Sequence, residues 1–292
     1  MITGAKRATI VKVLSRKVTD WLDTLPEDIR NEIKNEVLVT GGAITSMLLG
    51  EKVNDYDIYL KTQAAAKVLA QYYVDLYCTE GQVAPIVKTT EDRVLLYVKS
   101  AGVLGTTEED YRYFEQHPDD VGDQYLEALF KGAKTDIKGS YQPKYLSNNA
   151  ITLSDRIQII IRFYGTPEEI HENFDFVHAT NVFDYKTKKL YLNPAALEAT
   201  LARNLVYVGS LYPIASIFRI RKFIERGWRI HVGQLLKIIF QINKLNLSEF
   251  NVLQDQLIGV DAAYMSQLLA RLDERQAVDL GYVSKLLDEI YE

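Results

Sequence analysis

The stretch "LVTGGAITSMLLGEKVNDYDIYL", Leu38 to Leu60, decides how the chain is read. A short apolar strand runs into Gly41 and Gly42, an apolar run follows as far as Gly50, and a second strand opens on Asp55 and Asp57 with one tyrosine between them. A glycine pair after a strand lets backbone N–H groups approach a bulky anion, and phosphate is the usual guest. Aspartates at i and i+2 of an extended segment point to one face, which suits them to hold a divalent metal. Phosphate and metal in one place point to nucleotide chemistry. In detail, "EVLVTGG" reads as a strand with a glycine turn, and "AITSMLLG" as one or two helical turns with Gly50 at the exit. "NDYDIYL" reads as a strand with Asp55, Asp57 and Tyr59 on one face and Tyr56, Ile58 and Leu60 on the other.

Outward from this stretch, Val11 to Asn35 reads as helix, broken near Leu25-Pro26 and restarted by Glu27-Asp28 in a first turn. "TQAAAKVLAQYYVDLY" is a further helix, and "QVAPIVK" and "RVLLYVKS" are strands. A polar, acidic stretch from Thr106 to Asp123, with "QYLEALFKGA" after it, reads as an inserted helical or lid-like segment over about 105–145. "RIQIIIRFYG" is a strand by its branched apolar residues, and "NFDFVHATNVFDYKTKKLYLN" reads as two strands joined around "DYKTKK". From Asn193 helical periodicity takes over. The expected fold is α/β (α+β): a mixed-sheet domain over 1–193, then an all-helical domain over 194–292.

Of the 292 residues 47% are hydrophobic and 25% charged, ordinary for a soluble globular protein. A net charge of −5 argues against coating by nucleic acid over the whole surface and leaves a local basic groove open. The single cysteine, Cys78, can form neither an internal disulfide nor a cysteine-based zinc site and reads as a small buried side chain. No apolar run approaches the roughly 20 residues of a membrane span. The N-terminus lacks the apolar core of a signal peptide, so a cytoplasmic protein is expected, in the host cytoplasm if a phage encodes it.

The string Gly41-Gly42, Leu48-Leu49-Gly50, Asp55-Tyr56-Asp57-Ile58 resembles the "GG, LLG, DxD" signature of the DNA polymerase β-like nucleotidyltransferase superfamily, and looks closest to its CCA-adding enzyme and poly(A) polymerase branch. The arginine and aspartate that this branch usually carries between the glycines and LLG are Thr45 and Ser46 here, whose hydroxyls can still donate to phosphate. "SNNAITLSDRIQIIIRFYG" through "NFDFVHAT" is similar to a segment of uncharacterised nucleotidyltransferase-like proteins of tailed bacteriophages. That similarity sets the two segments side by side as strands, with Arg162 either near the nucleotide or at a sheet edge. The mechanism that the superfamily resemblance implies uses two Mg²⁺ (or Mn²⁺) ions and a third carboxylate on an adjoining strand. Asp136, Asp155, Asp175 and Asp184 are the candidates. Asp184 has a turn to serve and Asp155 a strand entry to cap, and Asp136 lies in a polar loop. Asp175 stands between Phe174 and Phe176, where a carboxylate needs metal or positive charge beside it, and is the expected third ligand. His178 reads as a hydrogen-bonded core histidine rather than a catalytic base.

"YPIASIFRIRKFIERGWRI" resembles the arginine-rich helix after the catalytic domain of the same branch, with Arg219, Lys222-Phe223 and Gly227-Trp228 in similar positions; the acidic-proline entry is replaced by Leu211, Tyr212 and Ala215. Arg219, Lys222 and Arg226 fall on one helical face. Between Ser210 and Lys244 seven residues are basic and one, Glu225, is acidic, a bias that suits an RNA backbone. The alternative is a solvated face above an apolar side formed by Ile214, Ile217 and Ile224. The expected activity is transfer of a nucleoside monophosphate from an NTP, ATP first, to an acceptor hydroxyl. Asp55, Asp57 and Asp175 would hold metal, and Gly41, Gly42, Thr45, Ser46 and Arg162 the nucleotide. Arg219, Lys222 and Arg226 would hold an RNA 3′ end, tRNA being the leading case. A protein or small-molecule acceptor, or a non-catalytic binding protein on the same fold, are the other readings.

Overall fold

In a computed structural model the described residues are 4–77, 86–89, 93–97, 103–104, 140–147, 149–257 and 278–291. Cys78, Asp136 and nearly all of the expected insertion lie outside them. Helix α1 (Arg7–Leu22) buries Ile10, Leu14, Val18 and Trp21, one stripe at helical spacing, and α2 (Glu27–Ile33) restarts after Pro26 with Glu27 and Asp28 in its first turn. The chain then lays down β1 (Val37–Thr40), α3 (Gly42–Leu49) and β2 (Tyr56–Leu60), the last two separated by Gly50, whose φ of 69° ends α3 in the left-handed conformation. Helix α4 (Gln63–Tyr77) follows.

An eight-stranded mixed sheet runs in the order β10-β9-β1-β2-β8-β7-β6-β5. Its remaining strands are β5 (Val103–Leu104), β6 (Pro143–Ser147), β7 (Ala150–Leu153), β8 (Ile157–Tyr164), β9 (Val182–Asp184) and β10 (Lys189–Tyr191). β2 lies in the middle, antiparallel to β1 and parallel to β8, with Asp57 opposite Gln158. Its alternation sorts the two faces as the sequence suggests: Ile58 and Leu60 join the large core under α1 and α4, and Tyr59 joins a smaller cluster with Ile160 and Ile170 on the other side. "PIVK" and "VLLY" do form strands, β3 (Ile86–Thr89) and β4 (Val94–Tyr97), but as a separate two-stranded sheet.

"NFDFVHAT" departs from the expected strand. After the short helix α5 (Pro167–His171) the chain turns, makes one isolated bridge, Phe176 with Tyr207, and winds through a 3₁₀ turn at Val177–Ala179. Helices α6 (Pro194–Ala202), α7 (Pro213–Glu225), α8 (Val232–Ile242), α9 (Phe250–Leu257) and α10 (Leu280–Tyr291) then dominate. Two short parallel strands, β11 (Asn204–Leu205) and β12 (Arg229–Ile230), interrupt the helices. Helix α7 is rotated from the amphipathic reading: Ile217 and Ile224 are about half exposed, while Ala215, Ser216 and Ile220 are buried. Among the described residues no helix is long and apolar enough to cross a membrane.

Candidate active site

The glycine turn is held by the irregular segment that replaced the expected strand. Gly41 N donates to the Ala179 carbonyl at 3.1 Å. The Thr40 hydroxyl donates to the Asn181 carbonyl at 2.8 Å, and the Thr45 hydroxyl to the His178 carbonyl at 2.8 Å. On its other side the segment is laced to the stretch before α7, Val177 N donating to the Val206 carbonyl at 3.0 Å and Val208 N to the Asp175 carbonyl at 2.9 Å. A winding segment thus leaves its backbone groups to bind β1, α3 and the approach to α7 together. Asp175 is positioned by that lacing.

Gly41 has φ 99° and ψ −155°, a region open in practice to glycine alone. A Cβ there would stand 2.5 Å from Asp57 Oδ2, whereas a Cβ on Gly42 would meet nothing within 4 Å. The bare backbone of Gly41 therefore makes the space into which the Asp57 carboxylate leans. Burial, and then the neighbouring charge of Asp55, push the Asp57 carboxyl well above its ordinary range, against a smaller opposing pull from Arg219. Burial and the charges of Asp57, Asp175 and Asp55 likewise raise the Tyr59 phenol, with Arg219 pulling the other way. Asp55, Asp57, Tyr59, Asp175 and Arg219 thus share one electrostatic neighbourhood, drawn from β2, the 3₁₀ segment and α7. Asp55 is exposed and Asp57 partly buried, which leaves the pair approachable.

Asp175 is 8% exposed, and its Oδ2 accepts from Arg219 Nη1 at 2.7 Å. Among the described residues no three His, Cys, Asp or Glu side chains stand together as a metal-holding group. The donor chemistry of Asp55 and Asp57, two neighbouring carboxylates of which one is partly buried, fits one hard divalent ion. The full set of Asp55, Asp57 and Asp175 does not fit as placed, because the third carboxylate is on a guanidinium. The other candidates serve the backbone: Asp155 accepts from Tyr141 N at 3.0 Å, and Asp184 pairs with Lys61 at 3.0 Å and accepts from Thr187 N in the turn.

The remaining residues fall as follows. Thr45 is buried with its hydroxyl given to the His178 carbonyl, and Ser46 Oγ accepts from Arg226 Nη2 at 3.3 Å. Arg162 is neither an edge nor a surface residue: it is 4% exposed, donates to Asn149 Oδ1 at 2.9 Å and Asp255 Oδ1 at 3.1 Å, and lies over the Tyr212 ring. It ties β8 to α9. Arg219 reaches Asp175 just before the 3₁₀ turn, and Arg226 reaches Glu51 Oε2, just beyond α3, at 3.0 Å. Lys222 is partly buried on the same helix.

Two features escaped the sequence reading. Glu51 receives both Arg226 and Arg203. Burial works to raise its carboxyl, and the two guanidiniums outweigh burial, leaving it below its ordinary range. His178 is 1% exposed, packed among Phe176, Phe223 and Trp228, and neither ring nitrogen has a hydrogen-bond partner among the described residues, so it is an aromatic-box residue rather than a hydrogen-bonded one. The arginine excess on α7 hinted at the first. Nothing in the local pattern marked the second.

Against solved structures, the chain is similar to the Thermotoga maritima CCA-adding enzyme complexed with tRNA, at 11% identity and a TM-score of 0.39 over 94% of this chain and 53% of that one. A CCA-adding enzyme in apo form I gives 11% and 0.38 over the same shares. In sequence, the chain is 23% identical over 275 residues to "Gabija anti-defense 2" of Bacillus phage SPbetaL7, covering 91% of this chain and 54% of that protein. The chain thus spans about half the length of that phage relative. The family described as Gabija anti-defense 2 family protein matches residues 12–203, from within α1 through the whole eight-stranded sheet to the end of α6, and the chain belongs to that family.

Proposed function

We propose that this chain counters a Gabija defence by nucleotidyl transfer, moving a nucleoside monophosphate from an NTP to an acceptor hydroxyl with release of pyrophosphate. The observation that carries the reading is the contact of Gly41 with Asp57: a backbone only glycine can adopt, pressed against a partly buried carboxylate beside a second one. A structural turn has no use for that arrangement, since a partly buried carboxylate beside a second carboxylate costs stability unless a cation joins them. A divalent ion, Mg²⁺ or Mn²⁺, held by Asp55 and Asp57 would supply positive charge at the transferring phosphoryl group. The turn at Gly41 and Gly42 keeps side chains away from the triphosphate, and the N-terminus of α3 faces its negative charge. Ser46, at the end of the Arg226 side chain, is the hydroxyl nearest to serving there, since Thr45 is committed to the backbone.

For the acceptor, a protein hydroxyl on a defence component is favoured over an RNA 3′ end. Arg219 and Arg226 are engaged with Asp175 and Glu51, so two of the three cations assigned to an RNA backbone already have carboxylate partners. The test is incubation with each α-labelled NTP and Mg²⁺ or Mn²⁺, with Gabija defence proteins, with tRNA, and with cell lysate in separate tubes. Label on a defence protein, absent with Asp57→Asn, is the expected result. Label on tRNA alone would restore the RNA acceptor, and no label in any tube would leave a binding role for the fold.

A further inference from the structure

We infer that Arg219 is a built-in cation of the carboxylate cluster, so that the centre on Asp55 and Asp57 takes one divalent ion and Asp175 stands outside its ligand set. This rests on the reading of the site as a metal centre and adds to it the number of ions and the role of α7. Two observations carry it. The Arg219–Asp175 pair is short, 2.7 Å, and its side chains are only 22% and 11% exposed. Both ends are fixed: Asp175 by the backbone bonds at Val177 and Val208, Arg219 by its place beside buried Ser216 and Ile220 on α7.

Charge decides between one ion and two. A guanidinium stays protonated at every accessible pH and is weakly hydrated, so it is a permanent cation at a partly buried site. Three carboxylates, one guanidinium and one divalent ion leave no net charge in the cluster. A second divalent ion would add two positive charges beside a guanidinium already there, and would have to displace it from Asp175 to gain that ligand. Breaking a buried pair exposes an uncompensated charge and is strongly unfavourable. The arginine thus acts as a positioning residue: it holds Asp175 and presents positive charge toward the place where a triphosphate would lie.

The test uses Mn²⁺ alone on the full chain, with free Mn²⁺ followed by electron paramagnetic resonance. Wild type is expected to bind one ion, and Asp175→Asn to bind one ion with affinity within about threefold of wild type. Arg219→Gln, by releasing Asp175, is expected to bind a second ion or to tighten the first by about tenfold. Arg219→Lys keeps the charge and should keep a single ion, which guards against a folding defect in the glutamine variant. Two ions on wild type, one of them lost in Asp175→Asn, would overturn this inference and leave the metal centre standing. No ion on wild type would overturn both.

Discussion

At Gly41 a methyl group is refused twice, by a backbone at φ 99° and by the Asp57 carboxylate 2.5 Å away. Gly41→Ala is therefore expected to cost about 1–3 kcal/mol in urea unfolding and to remove nucleotidyl transfer. Gly42→Ala, with open space around the new atom, should change stability by less than about 1 kcal/mol. Asp57 carries the opposite trade: its partly buried charge beside Asp55 strains the metal-free protein. Asp57→Asn should raise the metal-free melting temperature while abolishing transfer, and added Mg²⁺ should stabilise wild type and leave the variant unmoved. A lower melting temperature for Asp57→Asn would mean that Asp57 is a structural partner. His178 gives a pH signature. Burial, with Arg226 adding to it and Asp175 opposing, lowers its ring to about 4 from an ordinary 6.5. The unfolded chain then binds the extra proton between those values, so stability is full above pH 6.5 and falls as pH drops toward 4, by about 3 kcal/mol in total. His178→Phe should flatten that slope in thermal melts from pH 4 to 7. Of these residues, Gly41 and Asp57 were legible because their partnership is written within twenty residues of sequence. The Arg219–Asp175 pair was not, because its members lie 44 residues apart and each had a plausible role alone.

Between elements, α7 is the joint. One side, with Ile220 and Phe223, packs with Phe176, Tyr207 and Trp228 under the 3₁₀ segment; the other side, with Ile214 and Phe218, meets the cluster of α9 and α10. Its Arg226 and the neighbouring Arg203 close on Glu51, just beyond α3. That trio fastens the helices to the element that carries the glycine turn. The pairs are a quarter to two-fifths exposed, so Glu51→Gln is expected to cost no more than about 1 kcal/mol, less at high salt. Because the Glu51 carboxyl is held below its ordinary range, the contribution is present at neutral pH and lost in acid, as pH falls through the lowered value. Equal unfolding midpoints for wild type and variant at low salt would remove the joint. Helices and central strands were readable from periodicity, since α1, α4 and β2 bury what their spacing predicts. "NFDFVHAT" misled because its alternation of apolar and polar residues mimics a strand. Its backbone partners are a threonine side chain, a glycine N–H and two valines from distant segments, which no local pattern announces.

Across the whole molecule the charge balance bears on the acceptor. The chain is net acidic at −5, and its basic stretch from Ser210 to Lys244 spends Arg219 and Arg226 on Asp175 and Glu51 and Arg221 on Glu225. A backbone-tracking RNA site needs cations that release counterions when they meet phosphate, and each such contact adds nearly one unit to the salt slope. Cations already paired with carboxylates exchange one anion for another and gain little. Labelled tRNA titrated at several salt concentrations should therefore bind weakly, with a slope of no more than about two units. Changing Arg226 to Gln should lower the unfolding midpoint while leaving that slope unchanged, because the residue fastens α7 to Glu51 rather than to RNA. A slope of about six or more, reduced by the Arg226 change with no loss of stability, would mean that the ion pairs open in solution to receive RNA. The acceptor would then be an RNA end after all, and Glu51 and Asp175 would be the resting partners of a binding helix.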